Sequence, residues 1–280
     1  MEQIIQLLPD EHRMQVRKLK SVRPNEFRMV VGQPMLMRFG DREVWLQPEI
    51  TASMIEMLVL RACRQSVYAH KETISQGFII LDGGHRMGIS GVGVLQNGLL
   101  QNITQISSVV IRVANAVVGF AEQLSSMLSG SALVIGPPCS GKTTLLRDIT
   151  RQLSDEQKFR VSLVDERGEV AAALNGVPQL YVGKRTDVLS RVPKAHGIMM
   201  MLRTMNPQWM VVDEITLPED IRAMEQASYC GVKLLASAHA DCQEDLYRRP
   251  LYRNLMEVGL FRMIIQLDTD RTYKMIEVNI

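Results

Sequence analysis

The spacing of apolar residues differs between the two halves of the chain. In the first half, apolar and polar residues alternate in short runs separated by Gly- and Pro-containing turns, as in strands with one buried face. The predicted strands cover residues 27–31, 35–39, 44–46, 77–81, 85–94, 98–106 and 109–113. Helical spacing predicts one helix over residues 2–20 and another from the N-cap Thr51 to about residue 65. The first half is therefore predicted to be α+β.

The second half contains continuous apolar runs, which are typical of strands buried on both faces. These runs lie at residues 132–135, 161–165, 209–213 and 232–237, with helical segments at 192–205 and 219–229 and a closing hairpin at 261–267 and 273–278. Such alternation predicts a largely parallel sheet covered by helices. We predict an α/β chain with a smaller α+β domain at residues 1–112 and a larger domain at residues 113–280.

Composition narrows the class of protein. Apolar residues make up 46% and charged residues 22% of the chain, which is ordinary for a soluble globular protein. The formal net charge of +2 gives no strong signal for nucleic-acid binding. The uncharged stretch at residues 87–111 is interrupted by Gly, Asn and Gln, so it is predicted to form strands and not a membrane span. A start without basic residues and four cysteines without C-x-x-C spacing favour a reducing cytoplasm.

The first chemical motif follows the apolar run at residues 132–135. Residues 136–143 read GPPCSGKT, a match to the P-loop pattern G-x-x-x-x-G-K-[ST], between a predicted strand and a predicted helix. In this setting backbone N–H groups and the positive end of the helix bind phosphates. We expect Lys142 to reach the β- and γ-phosphates and the Thr143 hydroxyl to bind Mg²⁺. The predicted nucleotide-binding residues here are Gly136, Pro137, Pro138, Cys139, Ser140, Gly141, Lys142, Thr143 and Thr144.

Acidic residues follow two further apolar runs. Asp213 and Glu214 lie at the end of the third run, and ligands bind at the carboxyl ends of strands in parallel sheets. Asp213 is predicted to bind the nucleotide through Mg²⁺, and Glu214 to polarise an attacking water. Glu166, which follows the second run, is another candidate catalytic carboxylate, and Arg167 beside it is predicted to steer phosphate or a neighbouring acid.

Three further side chains are candidates for contact with phosphate. His239 follows the fourth apolar run and is predicted to hydrogen-bond the γ-phosphate or the attacking water. Arg86 follows a tight turn at residues 82–84, and Arg112 lies in an apolar strand. A charge in an apolar strand costs free energy unless it meets a partner such as a phosphate. The alternative for Arg112 is an edge strand on which the guanidinium faces water.

Taken together, these motifs closely resemble the stage III sporulation protein AA family of endospore-forming bacteria, relatives of the type II/type IV secretion ATPases. The similarity covers nearly the whole chain. It is carried by the order and spacing of residues 77–86, 107–112, 136–143, 165–169, 185–189, 203–215 and 238–239. The resemblance implies a RecA-like P-loop NTPase domain preceded by the α+β domain. It also implies hexameric rings with ATP between protomers or between domains.

The resemblance assigns a role to each matching residue. Lys142 and Thr143 correspond to the P-loop ligands, and Glu166 corresponds to the acidic box. Asp213 and Glu214 match the second nucleotide motif, and His239 matches the histidine box. By the same resemblance, Arg86 and Arg112 are the N-terminal arginines that reach ATP phosphates. Secretion ATPases usually carry Gly-Glu where this chain has Asp213-Glu214, so Glu214 and Glu166 both remain candidates for the general base.

The favoured interpretation is an Mg²⁺-dependent ATPase motor for sporulation-associated transport. The resemblance implies a cytoplasmic protein of the mother cell that docks on a small membrane protein and energises a channel towards the forespore. The alternative is a RecA-like DNA-binding ATPase, for which the cluster RRPLYR at residues 248–253 is the best candidate contact. A nucleotide-binding scaffold with little turnover is a third interpretation. It is disfavoured because Lys142, Asp213, Glu214 and Glu166 are all present.

Overall fold

The chain folds into two compact units, Met1–Asn115 and Ala116–Ile280. The computed structural model describes residues 1–19, 23–63, 74, 77–114, 119–121 and 124–278. No helix among these residues is long and apolar enough to cross a bilayer. That the two halves are separate folding domains with limits 1–112 and 113–280 stays a prediction.

The first unit is built on a six-stranded antiparallel sheet with strand order β3-β2-β1-β6-β5-β4. The strands are β1 (Glu26–Val30), β2 (Pro34–Phe39), β3 (Arg42–Glu49), β4 (Phe78–Ile80), β5 (Arg86–Gln96) and β6 (Leu99–Arg112). One sheet face packs on three helices, α1 (Glu2–Leu7), α2 (Asp10–Lys18) and α3 (Ala52–Ala62). The alternation seen in the sequence places Phe27, Met29, Val109 and Ile111 in this core, fully buried.

Two sequence predictions in this unit are wrong in detail. The single helix predicted over residues 2–20 is two helices separated at Leu8 and Pro9. Proline has no N–H to continue the first helix and pushes the preceding residue towards extended backbone, and Leu8 has φ −59° and ψ 156°. The strands predicted at 98–106 and 109–113 form one strand, β6. Helix α3 begins at the predicted cap, where Met54 N donates to Thr51 Oγ1. Residue 20 and the predicted end of α3 near residue 65 lie outside the described residues.

The second unit is built on a seven-stranded sheet with strand order β13-β12-β7-β11-β10-β8-β9. The strands are β7 (Ala132–Ile135), β8 (Val161–Asp165), β9 (Thr186–Ser190), β10 (Trp209–Val212), β11 (Lys233–Ala238), β12 (Met263–Leu267) and β13 (Tyr273–Glu277). All neighbouring pairs are parallel except β12 with β13. This arrangement confirms the predicted α/β fold.

Six helices are described in the second unit. They are α4 (Leu124–Met127), α5 (Lys142–Asp155), α6 (Lys194–Thr204), α7 (Pro218–Tyr229), α8 (Gln243–Arg248) and α9 (Pro250–Glu257). Strand β9 is not among the strands predicted from the sequence. Within the described part of the chain, β9 pairs with β8 alone and is partly exposed, so it lacks the continuous apolar signature of the central strands.

Candidate nucleotide site

Four adjacent strands deliver the predicted site residues of the second unit to one edge of its sheet. Strand β7 leads into the P-loop, and β11, β10 and β8 lie beside it in that order. Because these strands are parallel, their carboxyl ends meet at the same edge. Residues far apart in sequence therefore become neighbours here.

The P-loop has the geometry of a phosphate cradle. Lys142 donates from Nζ to the carbonyl oxygens of Gly136, at 2.7 Å, and Pro137, at 2.8 Å. Gly136 has φ +154°, and a Cβ there would lie 2.8 Å from both Leu267 O and Ser140 Oγ, so the loop requires glycine. Burial lowers the pKa of Lys142, while the carboxylates of Asp213 and Glu214 act in the opposite direction. When a nucleotide binds, the Lys142 ammonium can donate to phosphate oxygens instead of these two carbonyl oxygens.

The remaining P-loop side chains differ in exposure. Cys139 is exposed and has φ +63°, a left-handed conformation that is uncommon for a side chain other than glycine. Ser140 is buried, and its Oγ has no hydrogen-bond partner among the described residues. Such an orphaned hydroxyl within the loop suits a site whose polar ligand completes the hydrogen bonding. Thr144 is half-buried in the first turn of α5.

Thr143 and Asp213 meet at the predicted metal position. Thr143 Oγ1 donates to Asp213 Oδ2 at 3.1 Å, and Ser237 Oγ donates to Asp213 Oδ1 at 2.5 Å. Burial raises the pKa of Asp213, whereas the two hydroxyl donors act to lower it. A hydroxyl and a carboxylate within hydrogen-bond distance supply hard oxygen ligands of the kind that Mg²⁺ prefers. The donor set fits the predicted ion.

Glu214 is held from three directions. Its carboxylate forms an ion pair with Arg167 through Oε2 and contacts His239 Nε2 through Oε1, the latter at 3.0 Å. Its backbone N–H donates to Ser237 Oγ at 2.8 Å, and its φ of +54° is left-handed. Strained backbone of this kind persists only where surrounding contacts over-determine it. The structure therefore brings Glu214 and His239 together, as two parts of one cluster beside Asp213.

Glu166 has different surroundings. Its carboxylate pairs with Lys194, the first residue of α6, whose Nζ also lies 3.9 Å from Asp220 Oδ2. Lys194 is only 4% exposed, and a charge buried in this way is costly unless acidic partners lie close to it. Asp165, directly before Glu166, accepts hydrogen bonds from the backbone of residues 169–171 and so shapes the acidic loop.

The two predicted arginines of the first unit are direct neighbours. Arg86 opens β5 and lies opposite Arg112 at the end of β6. The Arg86 guanidinium lies 3.8 Å from the centre of the Phe78 ring, and the Arg112 side chain is exposed. Glu26 is opposite Arg112 on its other side. Like charges directly opposite each other on a sheet are unfavourable, and contact of the two arginines with phosphate stays a prediction.

The basic cluster at residues 248–253 is engaged in local contacts. Arg249 donates to the His239 carbonyl at 2.7 Å, and Arg253 donates to the Tyr247 carbonyl at 2.9 Å. Arg248 pairs with Asp245. Each contact uses a guanidinium N–H of the kind that arginines in a DNA-binding surface donate to phosphates.

Sequence reasoning missed two residues of the site. Ser237 contacts both Asp213 and the Glu214 backbone, and its position two residues before His239 at a strand end was an available signal. Lys194 pairs with Glu166, but a lysine that begins a helix carries no local signal of such a role.

Comparison with solved structures defines the fold. The fold matches the ATPase DotB of Legionella pneumophila with a TM-score of 0.59 and 16% identity, over 94% of this chain and 78% of DotB. It matches the pilus retraction motor PilT with a TM-score of 0.63 and 14% identity, over 98% of this chain and 84% of PilT. The fold is therefore that of the RecA-like P-loop proteins that include these ATPases.

Sequence comparison then gives the family. The chain belongs to the family described as "Sporulation stage III, protein AA", which matches residues 1–278. It is 35% identical over 278 residues to stage III sporulation protein AA of Bacillus subtilis (strain 168), covering 95% of this chain and 91% of that protein. The resemblance inferred from the motifs is confirmed.

Proposed function

We propose that this protein is an Mg²⁺-dependent ATPase that drives a sporulation-associated secretion or channel complex. The observation that carries the proposal is the convergence of Lys142, the Thr143–Asp213 pair and Glu214 at one edge of the sheet. These are the parts that P-loop hydrolysis needs: a phosphate cradle, metal ligands and a base close to them. Family membership supplies the link to sporulation.

In this proposal Glu214 is the general base and Glu166 is not. Glu214 adjoins the metal-binding Asp213 in sequence and is oriented by Arg167 and His239. Glu166 is instead paired with the buried Lys194. A carboxylate that neutralises a buried ammonium is poorly placed to accept a proton from water, because protonation would leave that ammonium with only Asp220, 3.9 Å away, as its acidic partner. His239 then orients Glu214 through its Nε2, while its Nδ1 is buried and has no described hydrogen-bond partner.

Thr143 and Asp213 would hold Mg²⁺, and Lys142 with the backbone from Gly136 to Thr144 would hold the triphosphate of ATP. The bound ion would supply charge neutralisation for the transferred phosphoryl group. The orphaned Ser140 hydroxyl and the absence of room for a Cβ at Gly136 support a loop shaped around a ligand.

Arg86 and Arg112 are proposed as arginine fingers for the γ-phosphate. Their register on neighbouring strands would let both guanidinium groups contact one phosphate, which stabilises charge in the transition state. We further propose that the chain assembles as a homo-oligomeric ring of six copies, in which such contacts are made across an interface. Hydrolysis would then change the angle between the two domains.

The family relationship favours a site of action at the membrane of the mother cell. We propose a cytoplasmic protein that associates peripherally with that membrane through a small membrane protein of the channel complex. A RecA-like DNA-dependent ATPase is the competing function, and the local contacts of Arg249 and Arg253 weigh against it.

The test is the ATPase rate as a function of protein concentration, with Mg²⁺, in the presence and absence of single-stranded DNA. Wild type is compared with Arg112→Ala and with Arg42→Ala, which removes another exposed arginine of the same sheet. A ring motor predicts turnover that rises cooperatively with concentration, ignores DNA and collapses only in Arg112→Ala. Strong stimulation by DNA, or a rate per subunit that is independent of both dilution and Arg112, contradicts the proposal.

A further inference from the structure

The backbone of His239 is held at both of its polar groups by the helices that follow it. Its N–H donates to the hydroxyl of Tyr252 at 3.2 Å, and its carbonyl accepts from Arg249 Nη1 at 2.7 Å. Arg249 is the N-cap of α9, and Tyr252 lies in the first turn of that helix. The position of His239 is therefore set by α9 as well as by the strand that precedes it.

The Tyr252 hydroxyl also reaches the other side of the cluster. It donates to the carbonyl of Ile215 at 3.4 Å, and Ile215 directly follows Glu214. The Tyr252 side chain is 6% exposed and packs in the core of this unit. A buried hydroxyl needs partners for both its proton and its lone pairs, and here it accepts from one loop of the site and donates to the other.

These contacts join α9 to the side chains of the site. His239 Nε2 lies 3.0 Å from Glu214 Oε1, and Ile215 N donates to the Ser237 carbonyl at 2.9 Å. The Arg249 guanidinium lies 5.9 Å from the centre of the Tyr252 ring, so the two residues are also neighbours of each other. Tyr252 thereby links the loop that carries Glu214 to the loop that carries His239.

We propose that Tyr252 and Arg249 are positioning residues for ATP hydrolysis, which fix the distance between His239 and Glu214 from helix α9. The inference rests on the proposed function, because it assigns the loop-to-loop contact a role in turnover. No described hydrogen bond joins either residue to the P-loop, so we expect nucleotide binding to change little when they are replaced. Replacement of either residue should therefore lower kcat, the rate of the hydrolysis step.

The decisive variant is Tyr252→Phe, which removes one hydroxyl and keeps the buried ring. Loss of positioning should lower kcat by about tenfold, within the roughly 10²-fold that a 1 Å misplacement costs. KM for ATP and the affinity for a fluorescent ADP analogue should stay within twofold of wild type. Tyr247→Phe, at a tyrosine that is 46% exposed, is the matched control and should leave kcat unchanged.

Arg249→Gln tests the second contact against Arg248→Gln, its sequence neighbour, which pairs with Asp245 on the surface. The expected result is a loss of kcat in Arg249→Gln that exceeds the loss in Arg248→Gln by at least threefold. Equal rates in the two variants would show that the contact with the His239 carbonyl has no role in turnover.

A spectroscopic measurement separates this inference from the proposed function. The chain has five histidines, so an NMR spectrum of the imidazole ¹⁵N nuclei contains few signals. The signal that disappears in His239→Gln is that of His239. Tyr252→Phe should shift that signal, and Tyr247→Phe should leave it in place. An unmoved signal, or a moved signal with unchanged kcat, overturns the inference. If wild type hydrolyses no ATP, the proposed function fails, and the His239 signal alone decides whether Tyr252 positions this histidine.

Discussion

Lys194, only 4% exposed, forms an ion pair with Glu166, which lies 28 residues earlier in the chain. The pair joins the start of α6 to the loop after β8 and also approaches Asp220 at the start of α7. It distinguishes the two carboxylates that the sequence left equivalent as candidate bases. Glu166 has a structural cation as its partner, whereas Glu214 is grouped with His239 and Arg167.

The two carboxylates should therefore differ when each is replaced by its amide. Glu214→Gln removes the proposed base, and we expect kcat to fall by about 10²- to 10⁴-fold with ATP binding retained. Glu166→Gln should cost less than about tenfold in kcat, because it weakens an ion pair and leaves the base in place. Single-turnover ATPase assays at saturating ATP check both values. A larger loss in Glu166→Gln than in Glu214→Gln would reverse the assignment.

Removal of the buried cation should destabilise the fold. Lys194→Met leaves Asp220, which is 2% exposed, without its nearby positive charge, and breaking a buried pair typically costs about 3 kcal/mol. Partial exposure of Glu166 lowers this, so we expect a loss of about 2 kcal/mol in the free energy of unfolding. Urea denaturation measures it, with the exposed Lys274→Met as the control. Equal stability of the two variants would mean that the buried pair contributes nothing.

The hydroxyl of Ser237 should matter both for stability and for Mg²⁺. Ser237→Ala removes the donor to Asp213 and the acceptor of the Glu214 N–H, and unsatisfied buried groups cost about 1–3 kcal/mol. The Mg²⁺ concentration for half-maximal ATPase activity should rise several-fold. Ser162→Ala is the matched control, because Ser162 is also a buried strand serine but its Oγ has no described partner. If Ser162→Ala lost as much stability as Ser237→Ala, the contacts of Ser237 with Asp213 and Glu214 would not explain the loss.

Gly197 should be required by close packing between α6 and β8. A Cβ there would lie 2.7 Å from Val164 Cγ1, a clash that typically costs about 1–3 kcal/mol. We expect Gly197→Ala to lower the free energy of unfolding although alanine is the better helix former by about 1 kcal/mol. The double variant with Val164→Ala should recover part of the loss, because it removes the clashing methyl groups. If the losses in free energy of unfolding of the two single variants simply add in the double variant, the two positions do not interact.

His85 should make stability fall at acid pH. It is 2% exposed, and its Nδ1 accepts from Ala114 N at 2.9 Å. Burial, followed by the positive charges of the N-terminal amine and Arg23, lowers its pKa from 6.5 to about 4. The unfolded state therefore binds the proton more readily, so stability is complete above pH 6.5 and is lost as pH falls towards 4. The loss amounts to at most about 3 kcal/mol.

The free energy of unfolding measured between pH 7 and pH 4 checks this. His85→Asn keeps an acceptor near the position of Nδ1 but does not titrate there, so its stability should depend less on pH across this window. Identical pH dependence in wild type and His85→Asn would assign the acid sensitivity to other groups.

Much of the fold was predictable because its signals are local. Continuous apolar runs identified the four central strands of the second unit, and the P-loop pattern needs only neighbouring residues in one turn. The strand ends at Asp213 and His239 were informative because parallel strands must end at a common edge. The helix break at Pro9 was not predicted, although its cause is also local, since the proline ring and the missing N–H interrupt a helix.

The tertiary structure decided which side chains contact one another at the site. The sequence by itself determined that acids, a lysine, a histidine and arginines would lie at strand ends and turns. It did not determine that Ser237 would bridge Asp213 and Glu214, that Lys194 would neutralise Glu166, or that Tyr252 would tie His239 to Ile215. Each of these contacts depends on which strand lies beside which and on how the following helices pack. The periodicity of apolar residues indicates which side of a helix or strand is buried, but not which residues of other elements that side contacts.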